Sequence, residues 1–327
     1  MDSGTFSIQH LKIEKEIKGK LKGKNCTSNI KKIKDIFVIQ RQTYIQIAPY
    51  TSYKIGGVAR EVYFPTNANE LHDVVKTLIG SGTPYFLLGG GSNVLVGDRF
   101  WDGAVIITTS MNGNESFDDH IVCGAGLPSS RVAEIALEKV KTGLEFLYLL
   151  PGSVGGALAM NARYDMTSIS DALISFTAVH PEKGLKEFRK NEVDFAYKHT
   201  GIIAEGWYIC EVVLAWHDGD PANIRKRMEA IGKKRNDDRH FEFPSSGCIF
   251  KNDHKRNIQA GKLLDKLGFK GFTIGGAQVA YFHANFIINT GNATARDVLS
   301  VIEHIEREVE KRTGIRLERE VQLVGSF

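Results

Sequence analysis

The stretch Tyr85-Phe-Leu-Leu-Gly-Gly-Gly-Ser-Asn-Val-Leu-Val96 constrains this chain more than any other. An apolar run that reads as a buried strand breaks into three glycines, Ser92 and Asn93, then resumes as a second apolar run. Consecutive glycines lose much conformational freedom on folding, so a sheet keeps them only where backbone bends sharply or approaches something closely. Successive free N–H groups in such a turn form a concave anion site, and Ser92 and Asn93 add side-chain donors. A phosphate or pyrophosphate suits it; an ordinary glycine turn is the bland alternative.

A second stretch of the same kind, Pro151-Gly-Ser-Val-Gly-Gly-Ala157, leads into a helix of small residues, and Gly56-Gly57 and Gly124-Ala-Gly126 are further glycine turns. Two backbone-exposing turns on separate elements suggest an extended ligand with a charged middle.

The 327 residues suffice for two or three subdomains, each with a core. The net charge of +4 is modest and concentrated at the front. There Lys12, Lys15, Lys18, Lys20, Lys22, Lys24, Lys31, Lys32 and Lys34 face only Asp2, Glu14 and Glu16. The near-neutral remainder argues against nucleic acid as the main partner. No apolar window approaches a membrane span, and the N-terminus lacks the apolar core of a signal peptide. Cys26, Cys123, Cys210 and Cys248 have no close spacing, so no CxxC metal clip or disulfide framework is written, and a reducing cytoplasm is the expected compartment.

In chain order, residues 1–25 read as a solvated basic arm and 29–37 as one or two helical turns. Strand-like runs flank Gly56-Gly57. Residues 69–79 have helical spacing (Leu71, Val74, Val75, Leu78), and 104–107 and 121–123 read as strands. Residues 129–141 predict a helix capped by Ser129 or Ser130, with Val132, Ile135, Ala136 and Val140 as its apolar stripe. Residues 174–179 and 186–188 form a hairpin pattern and 208–216 a long strand. Residues 223–239 read as a charged helix, the hinge into a C-terminal unit. That unit holds a short helix (260–267), a return strand at 275–281, then, after residues 285–289, a strongly patterned helix over Ala295–Thr313 and a closing strand (317–324). The chain shows no internal repeat.

An ordered set of motifs then resembles the UDP-N-acetylenolpyruvoylglucosamine reductase family. It comprises Thr51-Ser-Tyr-Lys-Ile-Gly-Gly57, Leu88-Gly-Gly-Gly-Ser-Asn93, Gly143-Leu-Glu-Phe146, Pro151-Gly-Ser-Val-Gly-Gly-Ala157 and Met160-Asn161. It continues with Phe195-Ala-Tyr-Lys198, Ser246-Gly-Cys-Ile-Phe-Lys-Asn252, His283-Ala-Asn-Phe-Ile-Ile-Asn289 and Leu317-Glu-Arg-Glu-Val321. The resemblance covers residue 48 to the end. It implies an α+β fold: a two-lobed FAD-binding domain of the vanillyl-alcohol-oxidase (PCMH) type, then a smaller α+β substrate-binding domain. The corresponding division is a basic extension over 1–27, the FAD domain over 28–218 and the substrate domain over 219–327. The short interval between Lys198 and Gly247 resembles the shorter, type II form.

The implied activity is reduction of UDP-N-acetylglucosamine enolpyruvate to UDP-N-acetylmuramate in peptidoglycan precursor synthesis, with FAD and NADPH as cofactors. A cytoplasmic monomer with no nucleic-acid or membrane partner is expected. By resemblance the cofactor-binding residues are Tyr53, Ile55, Gly56, Gly89, Gly90, Gly91, Ser92, Asn93, Gly126, Pro151, Gly152, Ser153, Gly155, Gly156 and Asn161. Tyr197, Arg163, Lys251 and Asn252 are implied to meet substrate. Lys198, Cys248 and Glu320 occupy the catalytic positions, of which two are substituted. Lysine stands where the family's Tyr-Arg pair has arginine, keeping the charge without the planar two-pronged grip. Arg163 is the alternative cation. Cysteine stands where the family's proton-donating serine belongs. A thiol of ordinary pKa, about 8.5, is mostly protonated near neutrality and far more acidic than a hydroxyl. Asp253 replaces the usual proline after Asn252, and His283 reads as a packed, hydrogen-bonded histidine. The competing readings are a flavin oxidase or dehydrogenase of the same superfamily acting on another substrate, and a flavin-binding homologue with impaired catalysis.

Overall fold

The computed structural model describes residues 39–327, so the expectations for the basic arm, the 29–37 helix and Cys26 lie outside the described residues. Three bodies of secondary structure follow one another along the chain.

The first is built from β1 (Gln40–Gln46), β2 (Val58–Phe64), α1 (Ala68–Gly80), β3 (Tyr85–Leu88), β4 (Val94–Val96) and β5 (Trp101–Ile107). Its sheet runs β1-β2-β5-β3, with β1 antiparallel to β2 and the other pairs parallel. β5 is central, so Ala104 to Ile107 is an unbroken buried run, as a parallel strand covered on both faces requires. The polar β1 gives no apolar signal because it is an edge strand, mostly exposed. Asn67 caps α1 by accepting from the Glu70 N–H, and Leu71, Val74, Val75 and Leu78 bury its predicted face.

The second body holds β6 (Asn114–Ser116), β7 (His120–Gly124), α2 (Ser129–Glu138), α3 (Val154–Ala159), β8 (Leu173–His180), β9 (Gly184–Arg189), β10 (Tyr208–Ala215) and α4 (Pro221–Asp237). Its antiparallel sheet runs β9-β8-β10-β7-β6. α2 stops earlier than its periodicity predicts. Val140 takes a left-handed φ of 58° and is exposed, so it leaves the apolar stripe. Neither serine caps the helix from the N-cap position, which is Pro128. Ser130 instead accepts from the Leu149 N–H at 3.0 Å and ties down the approach to the second glycine turn. α4, capped by Asp220, buries Ile224 and Met228 in the same core as Phe176, Leu214 and Trp216.

The third body comprises β11 (Ser245–Cys248), α5 (Ala260–Lys266), β12 (Thr273–Ile274), β13 (Ala277–Val279), β14 (Phe286–Asn289), α6 (Ala295–Thr313) and β15 (Gln322–Val324). Its sheet runs β11-β14-β13-β12. α6 has its predicted ends for identifiable reasons. Thr294 and Asp297 form a reciprocal capping box, and Gly314 ends the helix at φ 71°. The stripe Val298, Val301, Ile302, Ile305 and Val309 is fully buried, at about 1.5–3 kcal/mol per side chain of that size. The closing strand is shorter than expected. Only Gln322–Val324 pairs, in parallel, with β4. That pairing carries the C-terminal segment back to the first glycine stretch, and Tyr53 and Ile55 of the first body bury in the third body's core.

Candidate active site

The two glycine turns face each other. Ser92 Oγ donates to the Pro151 carbonyl at 3.3 Å, and a Cβ on Gly90 would stand 2.5 Å from Gly152 Cα. No side chain fits between the turns, which is why this position is bare main chain. Gly152 itself has a φ of +97°, open to glycine and few others. Among the described residues, the N–H groups of Gly90, Gly91, Ser92 and Gly152 donate to no protein acceptor. Backbone donors so placed call for a partner, and an anion supplies one. At the second turn Ser153 caps α3 through the Gly156 N–H. Gly90→Ala is therefore expected to weaken FAD binding at least tenfold, read as the dissociation constant from flavin fluorescence quenching.

Both turns open on one cavity of about 1090 Å³, at the top of the ~300–1,000 Å³ range of drug-sized sites. The whole run Gly89 to Asn93 lines it, with Pro151, Gly152, Ser153, Gly155 and Gly156, as do Lys198, Cys248 and Glu320. The remaining expected cofactor residues stand behind this wall. Tyr53 and Ile55 are buried, Gly126 would place a Cβ against the Thr108 carbonyl, and the Gly56 carbonyl accepts from Gln46 Nε2. The Thr51–Gly57 segment buttresses the first turn, with the Ser52 N–H donating to the Gly91 carbonyl at 3.0 Å. Asn161 is buried, its amide donating to the Ala196 carbonyl at 3.1 Å and accepting from the Ser170 N–H at 3.4 Å. It anchors the hairpin that carries Tyr197 and Lys198.

That hairpin pairs Phe195 and Ala196 with Thr200 and His199, leaving Tyr197 and Lys198 at its tip. Lys198 adopts φ 56°, a left-handed position that normally falls to glycine or asparagine. Such strain in a bulky residue marks a site where position outweighs comfort. Its Nζ lies 2.6 Å from Glu320 Oε1, with side-chain exposures of 21 % and 10 %. Glu320 arrives on the segment beside β11. The Glu320 N–H donates to the Ile249 carbonyl at 2.7 Å and Lys251 N–H to the Glu318 carbonyl at 2.8 Å. Asn93 then clamps the Glu320 carbonyl through Nδ2 at 3.0 Å, so one residue of the first glycine stretch fixes both cradle and carboxylate. Sequence reasoning saw Asn93 only as an anion donor; its second role depends on a contact far along the chain.

Cys248 follows Gly247, which turns at φ 75°. Asn285 holds the segment after it, accepting from the Phe250 N–H at 3.0 Å and donating to the Phe250 carbonyl at 2.8 Å. Burial first, and then the Glu320 charge, push the Cys248 thiol up to about 12 against the opposing pull of Lys198 and a bond to Asn285. The three catalytic candidates thus feel one another's charge. The thiol is also a tighter holder of its proton than an ordinary cysteine. Its thiolate fraction at pH 8 is lower than a free thiol's, so iodoacetamide should modify Cys248 at least tenfold more slowly, measured by peptide mapping. Cys123 and Cys210, fully buried where Cys248 is half-buried, are likewise pushed up to about 12 and share the sign. Unfolded thiols ionise above about 8.5 while these stay protonated, so stability falls as pH rises from there towards 12.

The other substrate candidates lie apart from this wall. Arg163 is exposed, its Nε donating to the Asp165 carbonyl at 2.6 Å. It shares a separate cavity of about 260 Å³ with Asn161 and Tyr197. Lys251 pairs with Glu318 at 2.7 Å. Asn252 Oδ1 accepts from the Ala260 N–H at 2.9 Å at the start of α5, and its own N–H meets Tyr197 Oη at 3.4 Å. His283 accepts from the Asn285 N–H at 3.2 Å and is held neutral by burial.

The chain matches a family described as "UDP-N-acetylenolpyruvoylglucosamine reductase, C-terminal domain" over residues 239–324 and one described as "FAD binding domain" over 59–185. Curated proteins named UDP-N-acetylenolpyruvoylglucosamine reductase are 38 % identical in Borrelia garinii (84 % of this chain, 90 % of that one) and in Borreliella burgdorferi (85 % and 93 %). The crystal structure of the reductase of that name from Thermus caldophilus superposes with a TM-score of 0.73 at 29 % identity, covering 87 % of this chain and 98 % of that one. A bare-backbone double turn above a cavity, a lysine–glutamate pair and a thiol on its wall, and this likeness along most of the chain lead to one conclusion: the chain belongs to the UDP-N-acetylenolpyruvoylglucosamine reductase family.

Proposed function

We propose that this protein reduces the enolpyruvyl ether of UDP-N-acetylglucosamine to UDP-N-acetylmuramate, a peptidoglycan precursor, with NADPH as reductant and FAD held by the two glycine turns. The observation that carries this reading is the presence of Lys198, Glu320 and Cys248 on the cavity those turns open into. Among the described residues no His, Cys, Asp and Glu cluster could hold a metal, and none is needed for this chemistry. The unpaired donors of Gly90, Gly91, Ser92 and Gly152 fit a diphosphate, so the residues present suit FAD. When bound, FAD supplies hydride transfer.

The protein's own residues manage the charge and the proton. Hydride addition at the terminal vinyl carbon leaves negative charge on the adjacent carbon and its carboxylate. Lys198 stabilises that charge from a fixed point, already oriented by its hairpin and by Glu320. Cys248 donates its proton to the adjacent carbon. The burial that keeps the thiol protonated disfavours the thiolate left behind, and the Lys198 charge offsets part of that. Glu320 keeps Lys198 in place through their ion pair. Among the described residues no helix is long and apolar enough to cross a membrane. A cytoplasmic monomer, divided into an FAD domain over 28–218 and a substrate domain over 219–327, completes the proposal.

The test is a product assay. Purified protein loaded with FAD should consume one NADPH for each UDP-N-acetylmuramate formed, followed by mass spectrometry. NADPH consumption with the enolpyruvyl substrate left intact would contradict the reading and favour an oxidase acting on another substrate.

A further inference from the structure

One charged group on the cavity wall takes no part in the chemistry above. Arg235, in the last turn of α4, is 6 % exposed and lines the cavity. Among the described residues its Nε has no hydrogen-bond partner, and no carboxylate contributes to its environment. The guanidinium stands 5.0 Å from the centre of the Tyr164 ring, and the helix C-terminus favours a cation. Those two contacts recover only part of what a buried ion loses on leaving water. Burial accordingly lowers the guanidinium from its ordinary value, though arginine stays charged. Burial and the Arg235 charge lower His240, beside it on the cavity wall, from its ordinary value, and a histidine brings no negative charge in either form.

The other charges on the cavity are accounted for. Lys198 is paired with Glu320, and Lys54 donates to the Pro49 carbonyl at 3.2 Å. Among the described residues, then, this buried fork of donors has nothing anionic to bind until a ligand arrives. The glycine turns already offer backbone donors to one diphosphate, which leaves a second diphosphate in want of a partner.

We propose that Arg235 is the diphosphate anchor of this cavity, gripping phosphate oxygens of a nucleoside diphosphate, with the sugar nucleotide rather than FAD as the favoured source. A planar guanidinium binds phosphate oxygens in pairs, which suits this role better than a point charge. The inference rests on the reading of the cavity as an FAD and UDP-sugar site.

The experiment compares FAD-loaded wild type, Arg235→Met and Arg235→Lys by calorimetry with UDP and with uridine, and measures FAD dissociation and thermal midpoint for each. Arg235→Met should weaken UDP at least tenfold while leaving uridine and FAD within twofold, and Arg235→Lys should recover part of the loss. FAD weakened tenfold with UDP unchanged would also support a diphosphate anchor and assign it to FAD. UDP and FAD both within twofold of wild type would overturn the proposal. So would equal weakening of UDP and uridine with a lowered midpoint that lysine does not restore, because Arg235 would then only pack against Tyr164. A wild type that takes up no flavin sinks the parent reading, an outcome separate from all of these.

Discussion

Cys248→Ala is expected to lower kcat by about 10²–10⁴-fold, the usual worth of a positioned general acid. Cys248→Ser should retain substantial turnover, because a hydroxyl can fill the same turn after Gly247 and donate a proton. Flavin reduction by NADPH, which needs no proton at this position, should proceed in both variants. The split between the two half-reactions separates proton donation from a role in packing. A buried structural cysteine would give an alanine variant with full turnover and a somewhat lower melting point. Because burial pushes the thiol up to about 12, the wild type should show no loss of rate from thiol ionisation between pH 7 and 10. A falling limb near 8.5 would mean that the thiol is solvated and the site more open than the structure has it.

Lys198→Met should cost about 10²–10³ in kcat, the range found when one group stabilising a developing anion is removed. It should also destabilise the protein, because Glu320, only 10 % exposed, loses its 2.6 Å partner. Breaking a fully buried pair costs about 3–5 kcal/mol, and the partial exposure of Lys198 places this pair at or below the lower figure. Glu320→Gln removes the carboxylate but leaves a hydrogen-bond acceptor for the ammonium, so its stability loss should be smaller. Arg163→Met, in contrast, should change kcat by less than about twofold, since the arginine is exposed and engaged by the Asp165 carbonyl. Measured side by side, these variants decide which cation meets the substrate carboxylate. Equal losses at 163 and 198 would bring the hairpin around Arg163 into the site.

What the sequence disclosed depended on how local the cause was. The glycine stretch was legible because a triple glycine between apolar runs has few physical explanations, and the cavity it borders follows from it. α6 was legible to the residue because its capping box, its stripe and its terminal glycine all lie within the segment. β1 was not, since an exposed edge strand of Gln, Arg and Thr carries no apolar alternation. Val140 was misplaced because a helical period does not register a backbone turning left-handed. In the site, Lys198, Cys248 and Glu320 came from motif resemblance, whereas their convergence depends on β15 pairing with β4 and on the clamp from Asn93. Arg235 gave no signal, because one arginine in a charged helix looks solvated until its burial is seen. Asn161 and Asn252 lie in matched motifs, yet their side chains bind backbone groups that shape the site.

The central claim is that main-chain donors from two turns hold a flavin whose reducing equivalents reach an enolpyruvyl ether beside Lys198 and Cys248. The most direct measurement is the anaerobic visible spectrum of the purified protein, titrated with NADPH and then with the enolpyruvyl sugar nucleotide. The account predicts a yellow protein that bleaches with one equivalent of NADPH and regains its colour with one equivalent of substrate. A colourless protein that takes up no flavin, or a bleached one that the substrate fails to recolour, would contradict it.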